Sequence, residues 1–273
     1  MFHAVLTLRR RPDSDVIRTK HGGLECRVTL AESRITLRSQ VAFVSGASKG
    51  IGVAIAEALA AAGADLALTA RDRAGLAKTA AACRKQGVRV WTRTAELADA
   101  DQVRALAKAA LAEFGRVDVL VNNAGLTFPQ SVLGIGEKEW RTTLDVDLYA
   151  PLLLTQVFAP GMIERRRGKI INISSRAGLG ALEEHGAYSA AKAGLHLLTQ
   201  TMAVEFGQHN VQANCVAPTV ILTPMAERVW TPGPRTDFKL AGIPAGRFGK
   251  ASEVANVVLW LASPLSDYVN GAI

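Results

Sequence analysis

The stretch Val41-Ala42-Phe43-Val44-Ser45-Gly46-Ala47-Ser48-Lys49-Gly50-Ile51-Gly52 decides the fold of this chain. Its first four residues are apolar and long enough for one buried strand. After the three glycines, the alanine-rich run 53–62 predicts a helix. Strand, glycine turn and helix are typical of dinucleotide-binding sheets, because glycines let backbone N–H groups approach a pyrophosphate at the positive end of the helix. The spacing G-x-x-x-G-x-G differs from the usual G-x-G-x-x-G, so the turn alone also fits one without a ligand.

Beyond this stretch, short apolar runs alternate with helical patterns. The further predicted strands are 66–69, 88–93, 117–121, 169–173 and 211–216, and the further predicted helices are 73–86, 99–114, 137–163, 188–207 and 252–262. Repeated strand–helix units with apolar strands indicate a parallel sheet covered on both faces. We therefore predict an α/β fold with a single Rossmann-like, doubly wound parallel sheet over residues 38–273.

The two ends of the chain depart from this pattern. Residues 1–37 show no sustained periodicity of apolar residues, and we expect a disordered N-terminal extension. Residues 270–273 stop where a last strand would only have begun, so we expect that strand to be truncated. An unpaired sheet edge favours association.

Composition and charge exclude several classes of protein. With 49% hydrophobic residues, the 273-residue chain is not disordered as a whole. Half of the net charge of +8 lies in residues 1–38, and the remainder makes no basic face, so we expect no nucleic-acid partner. No apolar run reaches the roughly 20 residues of a membrane span, so we expect no membrane partner.

The three cysteines are widely spaced along the chain. Cys26, Cys83 and Cys215 fit neither a disulfide framework nor a zinc site, and we expect no metal. Free cysteines are typical of a reducing compartment, so we expect a cytoplasmic protein.

Tyr188 and Lys192 lie four residues apart in a predicted helix and therefore share a face. A free phenol has a pKa of about 10 and is a poor base at pH 7. A cation one turn away favours the ionised form, so Tyr188 would exchange a proton with a hydroxyl group as a general acid and base. The alternative is an ordinary pair of surface side chains.

Four motifs in order resemble the short-chain dehydrogenase/reductase family over residues 36–273. They are the glycine turn, Asn122-Asn123-Ala124-Gly125, Ser175, and Tyr188-x-x-x-Lys192, with thirteen residues from the serine to the tyrosine. The resemblance implies a nicotinamide-dependent oxidoreductase that interconverts a carbonyl and a secondary alcohol. It assigns catalytic roles to Ser175, Tyr188 and Lys192, and to Asp147 at a position where the family usually has asparagine.

The resemblance also implies the residues that bind the cofactor. They are Gly46, Ser48, Lys49, Gly50, Ile51, Gly52, Arg71, Glu96, Leu97, Asn123, Ala124, Gly125, Tyr188, Lys192, Pro218, Val220, Ile221 and Thr223. Lys49 and Arg71 stand where NADP-dependent members hold the 2′-phosphate, and Ala70 replaces the acid usual for NAD. We expect NADP(H), with NAD(H) as the alternative. Lys49 and Arg71 would also fit ordinary solvated side chains that bind no ligand.

Three departures from the family pattern affect these expectations. Asp147 could still hold a water molecule, but its charge would also pair with Lys192, and we expect an altered pH dependence. Glu96 stands where an aspartate commonly contacts adenine. Pro218-Thr219 replaces the usual Pro-Gly.

The loop after the sixth strand points to a subgroup. Residues 214–223 and 243–248, with Trp230 between them, resemble polyol dehydrogenases and keto-sugar reductases of the xylulose-reductase kind. Residues 223–242 would then form a flap over a small polar substrate. Trp230 equally fits ordinary packing under a loop.

We therefore expect an enzyme acting on a small polyol or keto-sugar, and a homodimer or homotetramer. One alternative is a 3-oxoacyl-thioester (acyl-carrier-protein) reductase, which should carry a basic patch beside the site. Arg165-Arg166-Arg167 is the candidate for that patch, although it also fits a solvated helix end. The alternative from another class is a non-catalytic protein that senses a dinucleotide.

Overall fold

The computed structural model describes residues 16–21, 24–29, 35–223 and 233–273, which fall into two compact units divided after Ile35. In the first unit, β1 (Val16–His21) pairs with β2 (Leu24–Thr29) as an antiparallel hairpin. The β-branched residues Val16, Ile17, Thr19, Val28 and Thr29 favour these strands, and disorder of the extension as a whole stays a prediction. The rest of the extension up to residue 34 lies outside the described residues.

The second unit is built on a sheet of six parallel strands. They are β3 (Val41–Ser45), β4 (Asp65–Ala70), β5 (Val90–Thr94), β6 (Val119–Asn122), β7 (Gly168–Ile173) and β8 (Val211–Val216). Their order in the sheet is β5-β4-β3-β6-β7-β8, so the winding reverses between β3 and β6. This is the predicted doubly wound fold, and its reversal point is where such sheets bind ligands.

Helices connect the strands. They are α1 (Ile51–Ala61), α2 (Arg73–Arg84), α3 (Ala100–Phe114), α4 (Glu137–Leu144), α5 (Ala150–Glu164), α6 (Gly186–Phe206), α7 (Pro234–Ala241) and α8 (Ala251–Ala262). A π-helical turn, Asp145–Tyr149, joins α4 to α5 and widens the helix at that point.

Two short strands, β9 (Ile221–Leu222) and β10 (Gly249–Lys250), pair beyond the end of β8. Residues 224–232 between them lie outside the described residues, and the expectation for Trp230 falls there. At the edge of the sheet, Gly271 donates to the carbonyl of Ala213, and Cys215 donates to the carbonyl of Ala272. The final residues thus lie along β8.

The continuous helical run 137–164 has the length and hydropathy of a membrane span. Much of its apolar surface is buried in the core with α3 and the sheet, through Leu153, Leu154, Phe158 and Met162, whereas Trp140 and Tyr149 are exposed. The rings of Phe43 and Phe158, tilted by 48° with centroids 5.0 Å apart, join this helix to the central strand. Core packing accounts for the hydropathy of the run.

Candidate active site

The glycine turn after β3 leaves its backbone open to close approach by a ligand. Gly46 and Gly50 have positive φ angles of 69° and 60°, which side-chain-bearing residues rarely adopt. A Cβ atom on Gly52 would collide with the carbonyl oxygen of Gly46. Gly50 caps α1 without a side-chain hydrogen bond. The first N–H groups of α1 therefore keep their donor capacity for an anion such as a pyrophosphate.

A cavity of about 430 Å³ opens at this turn. Its lining comes from the carboxyl ends of β3, β4, β5 and β6, as the sequence predicted. The lining residues are Gly46, Ser48, Lys49, Gly50, Ile51, Gly52, Ala70, Arg71, Asp72, Ala95, Glu96, Leu97, Asn123, Ala124, Gly125, Leu126, Val146 and Thr223. Twelve consecutive members of the predicted cofactor set, from Gly46 to Gly125, are thereby brought together with Thr223.

Five predicted cofactor residues lie outside this lining. Pro218, Val220 and Ile221 belong to the segment after β8, where their backbone carbonyls or strand pairing hold the loop. Tyr188 and Lys192 both belong to α6, and Lys192 lies next to Gly125. A Cβ atom on Gly125 would come within 3.4 Å of Lys192 Nζ, so the missing side chain leaves room for the lysine.

Sequence reasoning missed several lining residues. Ala95, Leu126 and Val146 were not assigned, although each directly adjoins an assigned residue. Apolar residues of this kind have no chemical signature of their own, so adjacency was the available signal.

The charged residues at the outer end of the cavity differ in their partners. Arg71 Nη1 lies 3.5 Å from Glu96 Oε2, and both side chains are largely exposed. Asp72 accepts from the N–H groups of Ala74 and Gly75 at 3.0 and 3.1 Å. Its carboxylate is therefore used as the N-cap of α2.

Asn123 connects the glycine turn to β6. Its side-chain amide donates to the carbonyls of Ser45 at 2.9 Å and Gly46 at 3.2 Å. The hydroxyl of Ser45 in turn accepts from the N–H groups of Asn123 and Ala124, at 3.0 Å each. The amide of Asn123 thus serves to fix the turn.

Tyr188, Lys192 and Asp147 meet where α6 packs against the π-turn. Lys192 Nζ lies 2.9 Å from Asp147 Oδ1, donates to the carbonyl of Ile173 at 3.1 Å, and lies 5.5 Å from the centre of the Tyr188 ring. The side chains of Asp147 and Lys192 are 0% and 3% exposed. The expected pairing of Asp147 with Lys192 is confirmed.

Burial and charge act in opposite directions on this pair. Burial raises the pKa of the Asp147 carboxyl above its ordinary value, while Lys192 opposes the rise. For Lys192, burial acts to lower the pKa, but Asp147 and Tyr188 outweigh it and leave the pKa above its ordinary value. With 2.9 Å between Lys192 Nζ and Asp147 Oδ1, the two groups form a buried ion pair.

Ser175 begins the 3₁₀ turn Arg176–Gly178 that follows β7. Its Oγ accepts from the N–H of Ala177 at 3.1 Å, which leaves the hydroxyl hydrogen available to a ligand. A Cβ atom on Gly178 would lie 2.7 Å from the carbonyl carbon of Lys192. The turn that carries Ser175 therefore packs directly on α6.

The chain is similar in sequence to known proteins. The family model described as Enoyl-(Acyl carrier protein) reductase matches residues 46–273. The chain belongs to the short-chain dehydrogenase/reductase family.

Three curated members of the short-chain dehydrogenases/reductases illustrate its range. D-threitol dehydrogenase of Mycolicibacterium smegmatis is 38% identical over 86% of this chain and 90% of the relative. L-xylulose reductase of Bos taurus is 36% identical over 87% and 95%. The 3-oxoacyl-(acyl-carrier-protein) reductase FabG of Thermotoga maritima is 35% identical over 87% and 96%.

Solved structures of the same family share the fold. An NAD⁺-bound xylitol dehydrogenase has a TM-score of 0.81 and 25% identity, covering 86% of this chain and 96% of the other. A provisionally assigned NAD(P)-dependent gluconate 5-dehydrogenase from Beutenbergia cavernae, with NADP at low occupancy, has a TM-score of 0.82 and 32% identity, covering 87% and 94%. Both nicotinamide dinucleotides thus occur among the structural relatives.

Proposed function

We propose that this protein reduces a small keto-sugar, or oxidises the corresponding polyol, with NADP(H) as the preferred cofactor. The observation that carries the proposal is the position of Lys192, which lies next to Gly125 in the cavity lining and 5.5 Å from the centre of the Tyr188 ring.

The residues of the chain fit a nicotinamide dinucleotide. The glycine turn and the uncapped N-terminus of α1 would hold the pyrophosphate, and the cavity beside β4 would take the adenosine end. The bound cofactor supplies or accepts the hydride.

The proton is handled by the side chains of the chain itself. Tyr188 would donate its phenolic proton to the carbonyl oxygen during reduction and take it back during oxidation. The hydroxyl of Ser175 would donate a hydrogen bond to the same oxygen and so orient the substrate. Lys192 is held below the tyrosine ring by Ile173 and Asp147, where its charge stabilises the phenolate.

The surroundings of Arg165 favour the sugar substrate over an acyl-carrier-protein thioester. The run 165–167 directly precedes β7, whereas the site lies at the carboxyl ends of the strands, roughly 20 Å away along a six-residue strand. Arg165 donates to the carbonyl of Val117 at 3.0 Å, and Arg166 donates to that of Gln208 at 2.9 Å. The predicted basic patch is therefore far from the site and bound to the body of the protein.

A substrate panel tests this proposal. NADPH and NADH are first titrated by fluorescence, and turnover is then measured with ketoses, α-dicarbonyls and a 3-oxoacyl thioester. We expect tight NADPH binding and turnover of a ketose. Turnover restricted to the thioester would replace the proposal with the acyl reductase, and binding without any turnover would favour the dinucleotide sensor.

The preference for NADP(H) rests on the cations of the cavity. Lys49 and Arg71 line it, Ala70 ends β4 without a carboxylate, and Asp72 is engaged as a helix cap. We expect Arg71→Asp to lower the ratio of NADPH to NADH affinity by about 10- to 100-fold, the value of a charge-assisted hydrogen bond. Arg73→Asp, an exposed charge two residues away that does not line the cavity, is the matched control. An unchanged ratio in Arg71→Asp would place phosphate recognition elsewhere.

We also propose a cytoplasmic homodimer or homotetramer. Two free, buried cysteines support the reducing compartment. Exposed apolar side chains on α6 support association.

A further inference from the structure

In the candidate site, the carboxylate of Asp147 lies against the ammonium group of Lys192 and opposes its charge. Of the titratable groups that act on Lys192, Tyr188 lies on the same helix, Asp147 on the π-turn and Cys215 on β8. Burial raises the pKa of the Cys215 thiol to about 11, so this thiol is neutral at pH 7. His196, one turn along α6, is also neutral because burial lowers its pKa. Asp147 is thus the one carboxylate among these described neighbours.

The two oxygens of Asp147 have different partners, an ion pair on Oδ1 and a hydrogen bond on Oδ2. Oδ1 lies 2.9 Å from Lys192 Nζ, and Oδ2 accepts from the N–H of Leu126 at 3.0 Å. An asparagine has one acceptor oxygen, so its NH₂ group would face one of these two donors. The arrangement therefore fits a carboxylate.

Packing holds the carboxylate in this position. The side chain of Asp147 is fully buried, and a Cβ atom on Gly125 would come within 2.7 Å of its Oδ1. The sequence predicted that Asp147 could hold a water molecule and that its charge would also pair with Lys192. The direct 2.9 Å contact shows the pairing, so Asp147 acts on Lys192 through its charge.

We propose that Asp147 is a positioning residue that fixes the Lys192 ammonium below Tyr188 and partly neutralises it, so that Tyr188 keeps its proton to a higher pH. This inference rests on the proposed function. A compensated cation stabilises the phenolate less than a bare one. The compensated pair therefore favours the neutral phenol, which donates to a carbonyl oxygen, over the phenolate that alcohol oxidation needs.

The test is the pH dependence of Asp147→Asn. We expect the rate of alcohol oxidation by the wild type to rise with pH, because a general base must be deprotonated to accept the proton. We expect the midpoint of this rise to fall by about one pH unit in Asp147→Asn, because the charge of Lys192 is no longer compensated. The control is Asp267→Asn, which removes the carboxylate from Lys169, another largely buried lysine, in a 2.7 Å pair beside the amino ends of the strands. An unchanged midpoint in Asp147→Asn, or an equal shift in Asp267→Asn, would overturn the inference.

A second readout needs neither cofactor nor substrate. The chain has three tyrosines, so the difference in tyrosinate absorbance between a protein and its Tyr188→Phe counterpart isolates the ionisation of Tyr188. We expect the same downward shift in the Asp147→Asn background. If wild type turns over no carbonyl, the proposed function fails, while this titration still decides the inference.

A double variant covers the case in which Asp147→Asn does not fold. That variant would leave the Lys192 ammonium buried without a counter-charge, which is strongly destabilising. Adding Lys192→Met removes the unpaired charge, and we expect the folded state to return. Failure of Lys192→Met to restore folding would contradict the ion-pair role and overturn the inference.

Discussion

Among single residues, Tyr188 has the most direct part in the proposed chemistry. We expect Tyr188→Phe to lower kcat by about 10²- to 10⁴-fold, the usual contribution of a general acid. Affinity for NADPH should stay nearly unchanged, because the phenolic oxygen lies outside the lining of the cavity. Stopped-flow or steady-state kinetics with a parallel fluorescence titration measure the two effects. Tyr268→Phe, a change at a fully exposed tyrosine, is the control and should keep full activity. Retained turnover in Tyr188→Phe would remove Tyr188 as the acid.

The surroundings of Asp147 show how far single residues could be interpreted from sequence. The pairing with Lys192 was predicted, because the family resemblance puts both residues in one site and their charges are opposite. The second donor, the N–H of Leu126, lies 21 residues away, and its direction depends on the backbone after β6. The residue type does not reveal where a backbone N–H group points. Sequence reasoning therefore identified the charge of the pair but not the requirement for two acceptor oxygens.

Among the elements, α2 is stabilised by the N-cap Asp72. The hydrogen bonds of this cap engage the carboxylate, so it is not available to a cofactor. Asp72 accepts from two N–H groups in the first turn of this helix. We expect Asp72→Ala to lower the free energy of unfolding by about 1 kcal/mol. For a domain of this size, the melting temperature should fall by about 2–4 °C in a thermal scan. Asp72→Asn keeps an acceptor oxygen and should melt close to wild type. Equal losses in both variants would indicate that the charge, and not the cap, stabilises α2.

The order of the elements could be predicted, whereas their irregularities could not. All six strands of the large sheet were predicted within a few residues, because apolar runs bounded by glycine or polar residues recur at regular distances. The π-turn Asp145–Tyr149 has no glycine or proline of its own and lies within an unbroken helical pattern. Its extra residue becomes apparent only when α4 and α5 pack together against α6. The hairpin of β1 and β2 was missed because six-residue strands with several charged residues resemble a solvated extension.

For the molecule as a whole, burial of the thiols predicts resistance to alkylation. Burial raises the pKa of both Cys83 and Cys215 to about 11. Because the thiolate is the reactive form, its population at pH 8 is roughly 100-fold below that of an ordinary thiol. In a Cys26→Ser variant, we expect a thiol reagent to modify both cysteines at least about 100-fold more slowly in the native protein than in urea. The rate should rise as the pH approaches 11. Rapid labelling of either cysteine at pH 8 would contradict this burial.

Exposed apolar side chains on α6 predict association of the chain. Leu197 and Val204 are 68% and 83% exposed on α6, and Val204 follows Leu197 by seven positions, so they lie on one face two turns apart. Exposed apolar side chains on one helix face favour a contact surface. We expect wild type to elute as a dimer or tetramer in size-exclusion chromatography with light scattering. Leu197→Glu with Val204→Glu should yield a smaller species, because two charges would be buried at the contact. Leu133→Glu, at a fully exposed loop position, adds a charge off this face and should leave the mass unchanged. A wild-type monomer, or equal dissociation by Leu133→Glu, would contradict association through α6.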